Sequence, residues 1–112
     1  MGVVFAVLVL LGADRGPLPA LHYSPALSRV AQEAAIHDMD PSIQLTDREV
    51  WEGGNIIYGT PLTAREANRY LMTSTPHRAN ILHDPGRHCT ESVGIGYTRY
   101  AFTELFVETC QS

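Results

Sequence analysis

Two β-prone segments near the end of the chain, residues 92–100 and 102–109, constrain the possible fold most strongly. In the first segment apolar residues alternate with Gly94 and Gly96, and this period of two is typical of a strand. The second segment follows a tight connection near Tyr100 and is the expected antiparallel partner. Because the two glycines leave one strand face without side chains, we expect another element to pack closely there.

An earlier segment carries the signals of a helix start. Ser24 is a favoured N-cap residue, and Pro25 would occupy the first helical position. Apolar residues then recur every three or four positions, which predicts one helix face packed against a core. We expect this helix to run to about Met39, because a residue before proline, here Asp40, is disfavoured in the helical region.

A capping box predicts a second helix. Thr63 is followed three residues later by Glu66, and the helix should end before Pro76, where a short further helix through Leu82 begins. The residues expected to face the core are Ala67, Tyr70 and Leu71.

The stretch between these helices has weaker signals. We interpret residues 42–52 as a loop and the Glu-Gly-Gly-Asn run at 52–55 as a flexible corner. Residues 56–58 form a short β-prone run that Gly59 and Pro61 should stop. The order of elements predicts an α+β domain with a C-terminal β-hairpin.

Composition limits the class of protein. A chain of 112 residues with 45% hydrophobic residues fits one globular domain rather than a disordered chain. Its basic residues are all arginine, and the formal net charge of −4 argues against electrostatic binding to nucleic acid. No apolar run reaches the roughly 20 residues of a membrane-spanning helix. We expect the protein to be a monomer.

The N-terminal segment leaves two interpretations open. Residues 3–11 are apolar and precede Gly12 and Ala13, which fits a signal peptide with a small-residue cleavage site, although no basic residue comes before them. The alternative is a buried helix or strand of the folded protein. We therefore divide the chain into an apolar N-terminal segment, residues 1–20, and a domain, residues 21–112.

The two cysteines, Cys89 and Cys110, also leave two interpretations open. Their number excludes the usual multi-cysteine zinc site. In an oxidising compartment they would form a disulfide worth about 3 kcal/mol through loop closure, whereas in the cytosol they would be two buried thiols. The expected hairpin brings their strand ends together, which favours the disulfide.

Several stretches resemble one protein family. Residues 74–82, Ser-Thr-Pro-His-Arg-Ala-Asn-Ile-Leu, resemble the S-P-G-H-R-x-N-I-L motif of the CAP superfamily, the cysteine-rich secretory, antigen 5 and pathogenesis-related-1 proteins with an SCP domain. Residues 53–59 resemble the family's G-E-N-I-A-x-G motif. Residues 21–39 are similar to a family helix, and residues 93–97 and 105–107 resemble its closing hairpin. The resemblance covers most of residues 21–110 and is closest to the compact bacterial type.

The resemblance implies a single-domain α/β/α sandwich with a cleft, where many members hold a divalent metal between two His and two Glu. His77 matches a cleft histidine, but one cleft glutamate falls on Gly54, so that carboxylate is missing. Glu52 is the candidate substitute. His37 matches a helix histidine of bacterial relatives rather than a ligand. The other cleft histidine and glutamate have no clear counterpart.

His77 is therefore the main site candidate, as a cleft residue and as a possible zinc ligand. The cleft and binding candidates are His77, Glu52, Asn55, Tyr58 and Ser74. The alternative for His77 is a capping or core histidine, and His77, His83 and His88 are at spacings that favour a scattered solvent-facing set over a metal site. Trp51, Tyr58, Tyr70 and Tyr97 would line an apolar groove or belong to the core.

These observations lead to one main functional hypothesis and two alternatives. The main hypothesis is a secreted or cell-envelope, non-enzymatic binding module for a small apolar, lipid-like ligand or an extracellular protein partner at a cleft near His77. One alternative is a divalent-metal-binding protein or metal-dependent hydrolase that uses His77 with Glu52 or His37. The other is a degenerate CAP scaffold without cleft activity.

Overall fold

The computed structural model describes residues 2–59 and 63–111, which form four helices and four strands. In chain order these elements are α1 (Val3–Arg15), β1 (His22–Tyr23), α2 (Pro25–His37), β2 (Glu49–Tyr58), α3 (Ala64–Thr73), α4 (Thr75–Ile81), β3 (Cys89–Tyr97) and β4 (Ala101–Cys110). The mixture of helices with a mainly antiparallel sheet confirms the predicted α+β class. Pro61, the predicted stop of the short strand, lies outside the described residues.

The four strands form one mixed sheet in the order β1-β3-β4-β2. β4 pairs antiparallel with both β3 and β2, and β1 pairs parallel with β3. The predicted hairpin is confirmed as β3 and β4. The first strand begins at Cys89 rather than at residue 92, because its pairing continues to the cysteines, where Cys89 lies directly opposite Cys110.

The helix boundaries follow the capping signals. The Ser24 hydroxyl accepts a hydrogen bond from the Leu27 amide at 3.1 Å, and Thr63 and Glu66 form the reciprocal capping box. Helix α2 ends at His37, two residues before the predicted end. Asp38 adopts a left-handed conformation with φ of 59°, and its amide donates a hydrogen bond to the Ala34 carbonyl. This cap ends the helix upstream of Pro41.

The predicted loop at residues 42–52 and the flexible corner at 52–55 are wrong from Glu49 onward. Those residues form most of β2, which pairs with β4 from Glu49 opposite Thr109 to Tyr58 opposite Ala101. Two glycines fit inside this strand because other groups occupy their side-chain space: the Trp51 ring and the Asn80 amide lie over Gly53.

Helices cover both faces of the sheet. On one face, Ala31 of α2 packs with Leu105 and Val107 of β4. On the other face, side chains from α1, α3 and α4 pack on alternate residues of the strands; these include Val7, Leu11, Leu71, Ile81, Phe102 and Phe106. Strand β4 is therefore buried from Ala101 to Glu108.

One predicted core residue of α3 is wrong. Ala67 and Leu71 are buried as expected, but Tyr70 is 56% exposed. Asn68 is buried in its place, because positions 64, 67, 68 and 71 share the helix face that contacts α1. Tyr70 lies on the adjacent face, which borders the groove described below.

The predicted close packing at the glycines of β3 is confirmed. A Cβ atom built on Gly94 or Gly96 would overlap the backbone of α2 at Leu27 and Ala31, respectively. Hydrogen bonds hold this contact, since the Gln32 side chain accepts from the amide of Tyr97 and donates to its carbonyl, at 2.9 and 2.7 Å.

The apolar N-terminal segment folds as α1, which corresponds to the helix alternative of the sequence analysis. Val7 and Leu11 are buried in the core. Arg15 at the helix end is also buried and donates to the carbonyls of Ile81 and His83, both at 2.9 Å. Within the described residues, no helix has the length and apolar character needed to cross a membrane. Signal-peptide cleavage stays a prediction.

The two cysteines form a disulfide that joins opposite residues of the hairpin. This confirms the disulfide alternative over the pair of buried thiols. A disulfide is consistent with an extracytoplasmic location.

Candidate functional site

An open groove lies beside His77, between strand β2 and the helices α3 and α4. It encloses about 360 Å³, and its lining residues are Ile56, Ile57, Tyr58, Tyr70 and His77. Two candidates predicted from the sequence, His77 and Tyr58, are thus brought together. The Tyr70 ring lies 6.1 Å from the His77 ring at an angle of 51°. The groove walls are mainly aliphatic and aromatic, with an imidazole as the most polar side chain.

The turn between α3 and α4 positions His77. Ser74 ends α3, and its carbonyl accepts the Arg78 amide at 2.8 Å. Pro76 in the first turn of α4 fits the fixed φ that a helix start requires. The Ser74 hydroxyl lies 2.8 Å from His77 Nδ1, so these two groups share a hydrogen bond. This bond holds the ring and leaves Nε2 as its second polar atom.

Asn55 fixes α4 against the sheet. Its buried side-chain amide donates to the His77 carbonyl at 3.2 Å and to Glu104 Oε1 at 3.1 Å. Asn80 of α4 completes the link by donating to Asn55 Oδ1 at 2.8 Å and to the Gly54 carbonyl at 3.1 Å. The two stretches with family-like motifs are therefore in direct contact, and Asn55 lies beneath the groove rather than in its wall.

Glu52 is not brought to His77. Its carboxylate accepts the Ile43 amide, at 3.2 and 3.1 Å from its two oxygens. Successive side chains of a strand point to opposite faces, so Glu52 and Asn55 lie on different sides of β2. The structure gives Glu52 the role of a bond acceptor for the loop that precedes β2.

The other candidate metal ligands are also dispersed. His83 bonds to Glu108, and His37 forms an exposed pair with Glu33 at 3.1 Å. Among residues 2–59 and 63–111, a group of three metal-ligating side chains with converging atoms occurs at Cys89, Glu108 and Cys110, which does not include His77. A metal ion at His77 stays a prediction.

Of the four aromatic residues expected to line a groove or the core, Tyr58 and Tyr70 line the groove. Trp51 instead stacks on His83, with ring centroids 3.6 Å apart. Tyr97 is the last residue of β3, where its backbone bonds to Gln32 of α2.

The sequence analysis missed three carboxylates that are buried against the sheet. Glu91, Glu104 and Glu108 all lie on the sheet face covered by α1, α3 and α4. Glu104 is fully buried, and its Oε1 accepts a hydrogen bond from the Asn55 side-chain amide. The available signal was the apolar character of both faces of residues 101–107, which indicates a strand without a solvent face.

Burial raises the pKa of Glu104 to about 7, although the hydrogen bond from Asn55 acts to lower it. Burial likewise raises the pKa of Glu91 to about 7, although the Arg15 charge acts in the opposite direction. One oxygen of Glu104, Oε2, has no hydrogen-bond partner within the described residues. A protonated carboxyl fits such a position better than a carboxylate does.

We expect the protein to lose stability as the pH rises from about 4.5 to about 7, because the folded state keeps protons on Glu91 and Glu104 that the unfolded state releases. Glu104→Gln mimics the protonated form and should remove part of this slope. Urea midpoints measured from pH 4.5 to pH 8 test this. The urea midpoint of the variant should rise relative to that of the wild type as the pH rises. Parallel pH profiles of the two proteins would contradict the expectation.

Comparison of the chain with protein-family models and with curated protein sequences finds no match.

Proposed function

We propose that this protein is a secreted or cell-envelope binding module that holds a small apolar, lipid-like ligand in the groove beside His77. The groove carries the proposal: its volume of about 360 Å³ lies within the range of small-molecule sites, and its walls are Ile56, Ile57 and two tyrosines. Such walls favour a chain or ring system over a charged substrate.

The single imidazole in the groove supports a ligand with one polar group. Ser74 engages Nδ1 of His77, so Nε2 is the atom that could bond to a ligand hydroxyl or carboxylate. One polar contact in an apolar groove orients a ligand without catalysing a reaction. A non-enzymatic role is proposed for this reason.

We also propose that the protein belongs to the CAP superfamily, which its sequence resembles. Contact between the Gly-Gly-Asn segment and the histidine segment, through Asn55 and Asn80, supports a CAP-like arrangement. Helices on both sheet faces support the α/β/α sandwich that the resemblance implies. The disulfide supports secretion or an envelope location.

Tyr70→Ala is expected to weaken binding of a dansyl-labelled fatty acid about tenfold or more, because a ring that covers the ligand contributes roughly 2 kcal/mol through apolar burial. Fluorescence titration of the purified protein measures this. Tyr70 is exposed on a helix, so the variant should keep its fold.

The matched control is Tyr100→Ala. Tyr100 is as exposed as Tyr70 but lies in the connection between β3 and β4, outside the groove lining. It should bind the fatty acid like the wild type. Absence of saturable binding, or equal losses in both variants, would sink the proposal. Binding of an extended peptide instead would favour a protein partner at the same groove.

A further inference from the structure

A second cluster of chemically reactive groups lies at the other end of the hairpin. The sulfurs of Cys89 and Cys110 and a carboxylate oxygen of Glu108 all lie within 4.8 Å of one another. Cys89 and Cys110 are opposite each other on β3 and β4, and Glu108 is two residues before Cys110, so its side chain shares the same sheet face. We call these three residues the sulfur–carboxylate cluster.

Glu108 is held in place on one side. His83 Nε2 lies 2.6 Å from Glu108 Oε1, and the His83 ring is itself stacked on Trp51. The second oxygen, Oε2, accepts the Gly86 amide at 3.3 Å and lies 3.4 Å from Cys110 Sγ. One carboxylate oxygen is thus oriented by a histidine, while the other faces the sulfurs. Histidine–carboxylate pairs of this kind commonly orient the ligands of metal sites.

We propose that reduction of the Cys89–Cys110 disulfide turns the sulfur–carboxylate cluster into a Zn²⁺ site. Zinc takes thiolate and carboxylate ligands in a tetrahedron, whose ligand atoms are roughly 3.5 to 3.8 Å apart. The contact of 3.4 Å between Glu108 Oε2 and Cys110 Sγ already approaches that spacing. The two sulfurs must separate, and side-chain rotation within a fixed strand pair provides this.

The chemistry balances with a dithiol as reductant. The dithiol gives two electrons and two protons to the disulfide, becomes a disulfide itself, and leaves Cys89 and Cys110 as thiols. Zn²⁺ then binds the two sulfurs and displaces both thiol protons to solvent. In the oxidised protein the same sulfurs are bonded to each other, so the site exists in the reduced protein alone.

Both the reductant and the ion have access to the cluster. A surface depression of about 300 Å³ is lined by both cysteines together with His88, Thr90 and Thr109, among others. It leaves room for a water molecule as fourth ligand. The groove beside His77 lies at the opposite end of β4, near Ala101, so this site is independent of the proposed function.

The test is a Zn²⁺ titration of the reduced and the oxidised protein against a competing chromogenic chelator. The reduced protein should bind one Zn²⁺ per chain, about 100-fold or more tightly than the oxidised protein does. Co²⁺ in place of Zn²⁺ should give thiolate-to-cobalt charge-transfer absorption. Trp51, the only tryptophan of the chain, should change its emission when the ion engages Glu108 next to His83.

Two variants locate the site. Glu108→Gln should weaken Zn²⁺ binding by the reduced protein about 10- to 100-fold. The matched control is Glu33→Gln, which alters another carboxylate paired with a histidine, His37, on the exposed face of α2 without cysteines nearby. It should bind Zn²⁺ like the reduced wild type. Equal affinity of reduced and oxidised protein, or equal affinity of both variants, would overturn the proposal.

The test still gives an answer if the protein unfolds when its disulfide is reduced. In that case one equivalent of Zn²⁺ should restore the native circular dichroism spectrum, because the ion replaces the cross-link between β3 and β4. Failure of Zn²⁺ to restore it would equally reject the site.

Discussion

Gly96→Ala is expected to lower the free energy of unfolding by about 3 kcal/mol, at the upper end of ordinary overpacking effects. An added Cβ would overlap the backbone of α2 at Ala31 and Gln32. Backbone atoms of a helix cannot rotate away as a side-chain end can, so α2 must shift as a whole. A shift would also stretch the two bonds between Gln32 and Tyr97.

Urea unfolding followed by circular dichroism measures this loss, and Gly12→Ala is the matched control. Gly12 lies inside α1, and a Cβ built there meets no atom within 4 Å. The same substitution should therefore stabilise the protein by about 0.5 to 1 kcal/mol through helix propensity. Equal effects of the two substitutions would contradict close packing at Gly96.

A second substitution at Gly94 tests whether α2 moves as a unit. Gly94 faces Leu27 on the same helix, one turn from the contact at Gly96. If Gly96→Ala has already displaced α2, the space at Gly94 has also opened. The loss in the double variant should then be smaller than the sum of the two single losses, as is usual for neighbouring sites.

The glycine contacts could be predicted from sequence because a strand of period two assigns each residue to a face. The helix starts were equally predictable, since Ser24, Thr63 and Glu66 act through bonds to amides three residues away. These are local signals. They fix the helices and the hairpin without knowledge of the rest of the chain.

Residues 56–58 were predicted as strand, but residues 49–55 of β2 were missed because the cause of their pairing is not local. Gly53 and Gly54 favour a turn when considered alone, but the buried strand β4 needs a partner for its backbone on that side. The Trp51 ring then fills the space above Gly53. Tertiary pairing overrides weak local preference in strands more readily than in helices.

The candidate site was predicted only in part, because most of strand β2 was not recognised in the sequence. His77, Tyr58 and Tyr70 line one groove because α4 packs against β2. Glu52 does not join His77, since the strand places its side chain on the sheet face opposite to that of Asn55, which bonds to the His77 carbonyl. The corner interpretation of residues 52–55 concealed this, because side-chain alternation applies only within a strand.

Arg15→Met is expected to destabilise the protein by about 3 to 5 kcal/mol, the usual cost of removing one partner from a buried ion pair. Arg15 is 2% exposed and lies 3.6 Å from Glu91, whose carboxylate is also buried. It donates further bonds to the carbonyls of Pro19, Ile81 and His83, at 2.6 to 3.2 Å. The variant leaves these acceptors without their donor and Glu91 without a counter-charge.

The stability lost in Arg15→Met should depend on pH, and this dependence distinguishes the contribution of the Arg15 charge from that of its packing. Arg15 lowers the pKa of Glu91, while burial raises it to about 7, so removal of Arg15 should raise this pKa further. Near pH 5 the folded wild type and variant both hold a protonated Glu91, and their difference reflects packing and lost carbonyl bonds. Above pH 7 the variant must also bury an uncompensated charge or keep a proton, so the difference in unfolding free energy should grow.

A double-mutant cycle with Glu91→Gln isolates the ion pair. Glutamine keeps the size of Glu91 but has no charge, so Arg15→Met should cost less in that background, and its cost should no longer grow with pH. Arg29→Met is the control, because it removes an exposed arginine of α2 and should change stability by roughly 0.5 kcal/mol or less. Losses from Arg15→Met that are equal with and without Glu91 would mean that the carbonyl bonds alone make α1 part of the core. A coupling that grows with pH would instead show that the N-terminal helix is held by charge as well as by Val7 and Leu11.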